Sequence, residues 1–388
     1  MFHLIKVAEP GQNIVIVAHK YVTGPDDDLV VYLNDLKFSN VFHIRHSFSS
    51  ADNRCSYYSW YREGKLFKEY RSADYYSKLA EPLLYLKEMY FTLHWIAQTG
   101  IPFDRYVGMD GLCVFFGNLL RFFGKVERTV FWAIDFVPSQ RFSGVFRNKI
   151  YEWVNLLGYK KTDEMWDLSP KMAPGREEHL GFAITEYRLH RVVQYGVWVD
   201  KIKKYSYEEC ERNTLVYMGH IHERSGIQLV IKAIPGIIKR MPQFRFKIIG
   251  GGPYVDNLIK LAQELGVSEF CEFMGKIECI HAVETEIAKS ALAIAPYIKN
   301  MDTFTKYADP GKVKTYLGCG VPVLLTDVPW NAREINDFKC GKIISEDEKD
   351  IVSNVVELMD AVKNRVFREN AVSYSQRFNW RNIFSFLK

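Results

Sequence analysis

The chain has 388 residues, 48% of them hydrophobic and 25% charged, with a formal net charge of +5. That length exceeds one ordinary core and reads as two globular domains, while the charge is too slight for a nucleic-acid binder but suits anionic ligands or an anionic membrane surface. Seven scattered cysteines with no C-x-x-C pair, a start without a signal-peptide pattern, and no apolar run near the ~20 residues of a membrane span point to a reducing cytosol, and away from structural zinc and a transmembrane anchor.

In chain order, residues 13–18 read as a buried strand ending at His19. A loop through Thr23, Gly24 and Pro25 leads to a helix opened by Asp26, Asp27 and Asp28. Strand, glycine turn and helix make the first unit of a doubly wound sheet, whose ligands collect at strand carboxyl ends. The three acids disfavour a phosphate here, so Gly24 is expected either to let an acceptor approach or to form a plain tight turn. A second strand is expected over 41–46, whereas 53–68 is aromatic and polar without a period. A long helix follows over 75–96 and a strand end at Tyr106 and Val107. The helix over 112–123, with Phe115, Phe116, Phe122 and Phe123 near Arg121, Lys125 and Arg128, suits either core or a membrane-surface face. A strand over 129–134 runs into Asp135, which is a site candidate or a helix cap. Further expectations are a helix through Tyr151 and Trp153, the last strand of this half over 164–169, a closing stretch 192–199 and a polar linker 200–213.

From residue 214 strands and helices alternate, which predicts a parallel sheet with right-handed crossovers. Strands are expected over 214–218, 244–249, 270–274 and 292–295, and helices over 227–239, 254–265 and 350–362. Gly250, Gly251 and Gly252 let backbone pass close to a ligand but do not form the dinucleotide-binding fingerprint. The most informative stretch is 309–325. Asp309 is an N-cap type and Pro310 suits the first helical position; Val313, Tyr316 and Leu317 share a face; Gly318 and Gly320 stop the helix; and 321–325 reads as a buried parallel strand. Gly311 and Lys312 fall in the first turn, where free N–H groups and the helix dipole attract an anion, which outlines a phosphate site.

These residues resemble the GT-B glycosyltransferases, specifically glycosyltransferase family 4. The likeness rests on 217–226 (Tyr-Met-Gly-His-Ile-His-Glu-Arg-Ser-Gly), 248–253, Phe273-Met274-Gly275, Ala295-Pro296, 317–323, Arg333-Glu334-Ile335 and Phe378-Asn379-Trp380. In the first half it rests on Gly24-Pro25 and on 195–200. The resemblance implies an α/β chain of two facing Rossmann-like domains with a cleft between them: an acceptor domain over 1–199, a linker over 200–213, a donor domain over 214–370 and a C-terminal helix over 371–388 returning to the first domain. It implies a hexosyltransferase that moves a sugar from a UDP- or GDP-sugar to a glycan or lipid-linked acceptor; the cysteine usage and the 112–123 helix add the expectation that it is cytoplasmic, with peripheral contact at a membrane's inner face. Retention of configuration, no bound metal, no other cofactor and no nucleic-acid partner go with it.

The site residues so implied are Asp135 and Asp302 as catalytic. Gly219, His220, Arg224, Ser225, Gly251, Gly252, Asp309, Gly311, Lys312, Lys314 and Thr315 fall to the donor, and His19, Thr23 and Gly24 to the acceptor. The sequence departs from the family where His220 and Ser225 replace an arginine and a lysine, where Tyr307 and Thr315 replace two glutamates eight apart, and where Asp135 replaces a histidine. Arg224, Lys312 and Lys314 are the candidates to supply the missing charge, and Asp302 or Asp309 the missing acid. A non-catalytic GT-B binding subunit and a GT-B epimerase or phosphorylase are the alternatives; consumption of a nucleotide sugar with or without an acceptor separates them.

Overall fold

The computed structural model describes residues 12–19, 24–47, 55–72, 80–138, 141–142, 144–299, 301 and 304–387. The chain forms two compact units, one up to Val193 and one from Gln194 onward.

In the first unit the strands are β1 (Asn13–His19), β2 (Asn40–His46), β3 (Tyr57–Arg62), β4 (Lys65–Arg71), β5 (Phe103–Gly108), β6 (Val126–Ala133), β7 (Glu164–Asp167) and β8 (His190–Val192). Between them lie α1 (Pro25–Asp35), α2 (Glu81–Thr99), α3 (Gly111–Phe122), α4 (Val145–Lys161) and α5 (Met172–Leu180). The sheet order is β4-β3-β2-β1-β5-β6-β7-β8. It is parallel except for the β2–β3 and β3–β4 pairings. Order reverses between β1 and β5, so the carboxyl ends of those two strands border the unit's switch point. Ile14 to Ala18 are all buried, as a strand covered on both faces requires.

Three strands depart from the sequence reading, β3, β4 and β8. The stretch without a period holds the β3–β4 hairpin, turned at Glu63 and Gly64 with φ of 49° and 78°, the twin positive φ of a tight hairpin turn. All seven residues of β4 are exposed, so no inside–outside alternation marks it. Residues 164–169 are not the last strand either: β8 pairs in parallel with β7.

The second unit has strands β9 (Glu211–Met218), β10 (Arg245–Ile249), β11 (Cys271–Gly275), β12 (Ser290–Ala295), β13 (Val323–Leu325) and β14 (Gly341–Ile343). Its helices are α6 (Ile227–Ile238), α7 (Val255–Glu264), α8 (Ile280–Lys289), α9 (Phe304–Tyr307), α10 (Gly311–Gly318), α11 (Ala332–Asp337), α12 (Glu348–Met359), α13 (Ala361–Ser375) and α14 (Trp380–Ile383). The order β11-β10-β9-β12-β13-β14 is all parallel and doubly wound, with its switch point between β9 and β12. Two apolar clusters cover the faces: Ile227, Ile231 and Leu258 pack on one, and Val313, Tyr316 and Leu317 on the other.

The helix expected over 350–362 is two helices. Asp360 ends α12 and caps α13 by accepting from the N–H groups of Val362 and Lys363. Ile202, Tyr207 and Cys210, inside the stretch read as a linker, are buried. The C-terminal turn packs on the same unit: Trp380 N donates to Val197 O at 3.2 Å, and the Trp380 ring lies 5.8 Å from that of Tyr195.

Candidate functional site

Each unit places a polar cluster at its own switch point. In the second unit that cluster is built around Lys312, in the first turn of α10. Its Nζ donates to the Tyr217 hydroxyl at 2.6 Å and lies 5.2 Å from the centre of the Tyr297 ring. Tyr217 belongs to β9 and Tyr297 follows β12, so the ammonium spans the ends of the two strands where their order reverses. Burial opposes its charge, but Tyr297 and Tyr217 outweigh that and hold its pKa above the ordinary lysine value. Among the described residues no carboxylate pairs with Lys312.

Gly219 makes room for this side chain. Its φ is 137°, and a Cβ there would lie 2.9 Å from Lys312 Nζ, so a larger residue meets both strain and the ammonium. The loop after it is tied down. Tyr217 and Ser225 hydroxyls both donate to His220 O at 3.1 Å, and His220 Nδ1 donates to Gly251 O at 2.7 Å. Ile221 N also donates to Gly251 O, and Gly252 sits against the Ile221 backbone. Arg224 is exposed in the same loop, its carbonyl accepting from Ile298 N at 3.2 Å. Gly219 and Lys312 thus lie together, with His220 and Arg224 near them around His222.

His222 joins them, and the sequence reading passed over it. Its ring lies 4.2 Å from that of His220. Its pKa is lowered by burial and then by its neighbours His220, Arg224 and Lys312. The Gly-His-Ile-His spacing was the available signal, and Tyr297, next to Ala295-Pro296, was another.

Asp309 and Lys314 behave differently. Asp309 is not the N-cap of α10; Pro310 holds that position. The Asp309 carboxylate turns inward, accepting from Tyr195 N at 2.6 Å, Trp330 Nε1 at 2.9 Å and Lys314 Nζ at 2.6 Å. Lys314 donates also to Gln194 at 2.7 Å, and this buried pair fastens residues 194–195 to α10. Thr315 donates to Gly311 O at 3.1 Å within the helix. These three hold the helix in place, and Lys312 alone of the two lysines faces the switch point. Asp302 and Thr23 lie outside the described residues.

In the first unit His19, at the end of β1 with 9% of its side chain exposed, lies between two carboxylates. Its Nδ1 is 2.7 Å from Asp110 Oδ2 and its Nε2 3.0 Å from Glu88 Oε2. Burial works against charge on the ring, but Asp110 foremost and Glu88 outweigh it and hold the pKa well above 6.5. The same contact holds Asp110 well below the usual carboxylate range, against the opposing effect of burial. Both ring nitrogens of His19 are engaged, so Asp110, with 33% of its side chain exposed, is the acid this switch point presents. It caps α3 by accepting from Cys113 N at 2.8 Å. Gly24 leaves space for Asp26: a Cβ would meet Asp26 Oδ1 at 2.4 Å. Asp26 in turn bonds buried His43 at 2.8 Å.

Asp135 lies just past the carboxyl end of β6, ion-paired at 2.7 Å with Arg141, which also reaches the Tyr151 hydroxyl at 3.0 Å. Among the described residues, two groups bring metal-ligand atoms together: His19, Asp110 and Cys113, and Asp26, Asp27 and His43. The hydrogen bonds above, with Cys113 Sγ donating to Asp110 at 3.2 Å, already engage His19, Asp110, Cys113, Asp26 and His43.

Residues 212–361 match the family model described as "Glycosyl transferases group 1". A GDP-mannose-dependent alpha-(1-6)-phosphatidylinositol monomannoside mannosyltransferase of Mycolicibacterium smegmatis is 25% identical over 149 residues. The match spans 38% of this chain and 38% of that protein's length. Among solved structures, sucrose-phosphate synthase from Thermosynechococcus elongatus superposes with a TM-score of 0.70 at 15% identity, covering 97% of both chains. Anabaena Alr3699/HepE in complex with UDP gives 0.68 at 14%, covering 97% of this chain and 98% of that one. The chain therefore has the GT-B fold, and its residues 212–361 match the group 1 glycosyltransferase model.

Proposed function

We propose that the protein is a nucleotide-sugar-dependent hexosyltransferase whose second unit binds the donor's diphosphate at Lys312. The observation that carries this is the Lys312 ammonium, held between Tyr217 and Tyr297 at the β9–β12 switch point, with His220, His222 and Arg224 around it. Departure of a nucleoside diphosphate places charge on phosphate oxygens, and a preorganised cation beside a helix N-terminus stabilises that charge in the transition state. The mycobacterial relative's name points to a GDP-sugar, and the HepE complex to UDP; both are candidate donors here. The acceptor is a glycan or a lipid-linked glycan, bound by the first unit beside Asp110 and Asp135, and the sugar is transferred with retention.

Calorimetry with GDP and UDP, followed by assays with the matching sugar donors, tests the reading. One of the two should bind, and Lys312→Ala should weaken it by at least ~10-fold, as loss of a charge-assisted phosphate contact does. Unchanged affinity in the variant would remove Lys312 from the site. The anomeric signal of the product by NMR reads retention. A second reading, a binding subunit without turnover, is favoured by Tyr307 and Thr315 standing where the family has glutamates; tight nucleotide binding with no sugar transferred or hydrolysed would establish it.

A further inference from the structure

The strongest unused feature is the outer face of α4, which carries large apolar side chains. Its buried side holds Asn148, Asn155, Gly158 and Tyr159, the Tyr159 ring stacked 5.3 Å from that of Phe131. Asn148 accepts from the N–H groups of Arg141 and Phe142 and donates to the carbonyls of Phe142 and Gly144. Asn155 donates to Tyr151 O at 2.8 Å. Its solvent side carries Phe146 (76% exposed), Trp153 (57%) and Ile150 (48%), with Val145 at the helix start (62%). The spacing i, i+4, i+7 aligns Phe146, Ile150 and Trp153 in one stripe. At about 3.6 residues per turn, Lys149 and Lys160 fall on one flank of the stripe and Arg147 and Lys161 on the other, while Glu152 lies farther round. Arg121 of α3 donates to Lys161 O at 2.9 Å, which brings the exposed Phe122 and Phe123 up to the C-terminal end of α4.

We propose that this face of α4 docks on an anionic lipid surface, lying in the plane of the bilayer. Aromatic and branched residues on the crest with cations on both flanks fit the boundary between acyl chains and anionic headgroups. An apolar stripe this large has no reason to face water on its own account. The charge settles the occupant, since a second copy of the same basic face would repel it. No helix among the described residues is long and apolar enough to cross a membrane, so the contact is peripheral. The α3 helix, which from the sequence suited either core or a membrane surface, buries Cys113, Val114, Phe116 and Leu120 and offers only its last turn. The inference does not depend on the donor reading, because vesicle binding is measured without nucleotide.

The test is co-sedimentation of the full chain with phosphatidylcholine vesicles, with and without a phosphatidylglycerol fraction. Binding is expected only with phosphatidylglycerol and should weaken as salt is raised. Lys149→Glu/Lys160→Glu/Lys161→Glu should weaken it by at least about fivefold per lysine. Phe146→Ser/Trp153→Ser should weaken it at least about tenfold for each aromatic residue. These side chains are exposed, so the variants should melt like the wild type. The wild type's dependence on lipid charge and salt tests the proposal even if they do not. No sedimentation with anionic vesicles at low salt overturns the proposal, as does equal binding to neutral vesicles. Undiminished binding by Phe146→Ser/Trp153→Ser overturns the assignment to α4, and so does a wild-type dimer that the same variant splits.

Discussion

His222 has a lowered pKa because burial and the nearby His220, Arg224 and Lys312 disfavour its charge. A bound diphosphate reverses the sign of that field. The imidazole then gains a proton partner, and its pKa rises on binding. Linkage makes affinity increase as pH falls through the bound-state pKa and level off below the free-state value. Nucleoside diphosphate should therefore bind more tightly at pH 5.5 than at pH 8, by up to about tenfold for each unit that the His222 pKa shifts. His222→Gln should flatten the profile in isothermal titration without abolishing binding. A wild-type profile as flat as that of the variant would show that His222 does not sense the ligand. Nothing in the sequence separates His222 from His220 or Lys312 from Lys314. Only the direction in which each side chain leaves its element does so, and that is decided by Tyr217, Gly219 and Asp309.

At the scale of elements, β1, α2 and α3 are joined by one imidazole ring. His19 comes from β1, Glu88 from α2, and Asp110 caps α3. Because the folded pKa of His19 is raised, its contribution is fully present below the unfolded value of about 6.5 and is lost as pH rises through the higher folded value. Asp110 is depressed, so its contribution is present above about pH 4 and is lost as pH falls through the lower folded value. Stability from this cluster should peak between about pH 4 and 6.5. His19→Asn leaves Glu88, 1% exposed, without its cation. Urea unfolding at pH 6 should show a loss of about 3–5 kcal/mol, and the decline of stability from pH 6.5 to 9 should become shallower. A loss under ~1 kcal/mol would place the ring on the surface. Elements of this kind were legible where burial imposes a period: β1, β6, β9, β12, α6 and α10 all follow from their apolar runs. The β3–β4 hairpin was not legible, because an exposed edge strand needs no alternation. The break at Asp360 was missed because a cap inside a helical pattern is only one residue long.

At the scale of the whole molecule, the proposed activity divides its work between the two units. The second unit holds the cations, and the first holds Asp110 and Asp135 at the carboxyl ends of β5 and β6. That division predicts separable effects. Asp135 is bound to Arg141 at 2.7 Å, and Arg141 reaches Tyr151 on α4. Asp135→Asn keeps the shape and the capacity to accept a hydrogen bond while removing the charge. On the proposed reading, with the acceptor bound in the first unit, this carboxylate would orient its hydroxyl. The variant should bind the donor nucleotide as the wild type does and turn over at least ~10-fold more slowly, since placed groups of this kind contribute 10²–10⁴-fold. Arg141→Lys supplies the control. It keeps a cation beside Asp135 but loses the planar fork, so it should lower turnover less than Asp135→Asn if the carboxylate acts on the substrate. If Asp135 only anchors the segment around Arg141, both variants should lower the melting temperature together and leave the rate per folded molecule unchanged. Measuring donor affinity, melting temperature and turnover on the same preparations distinguishes a substrate-facing acid from a structural one.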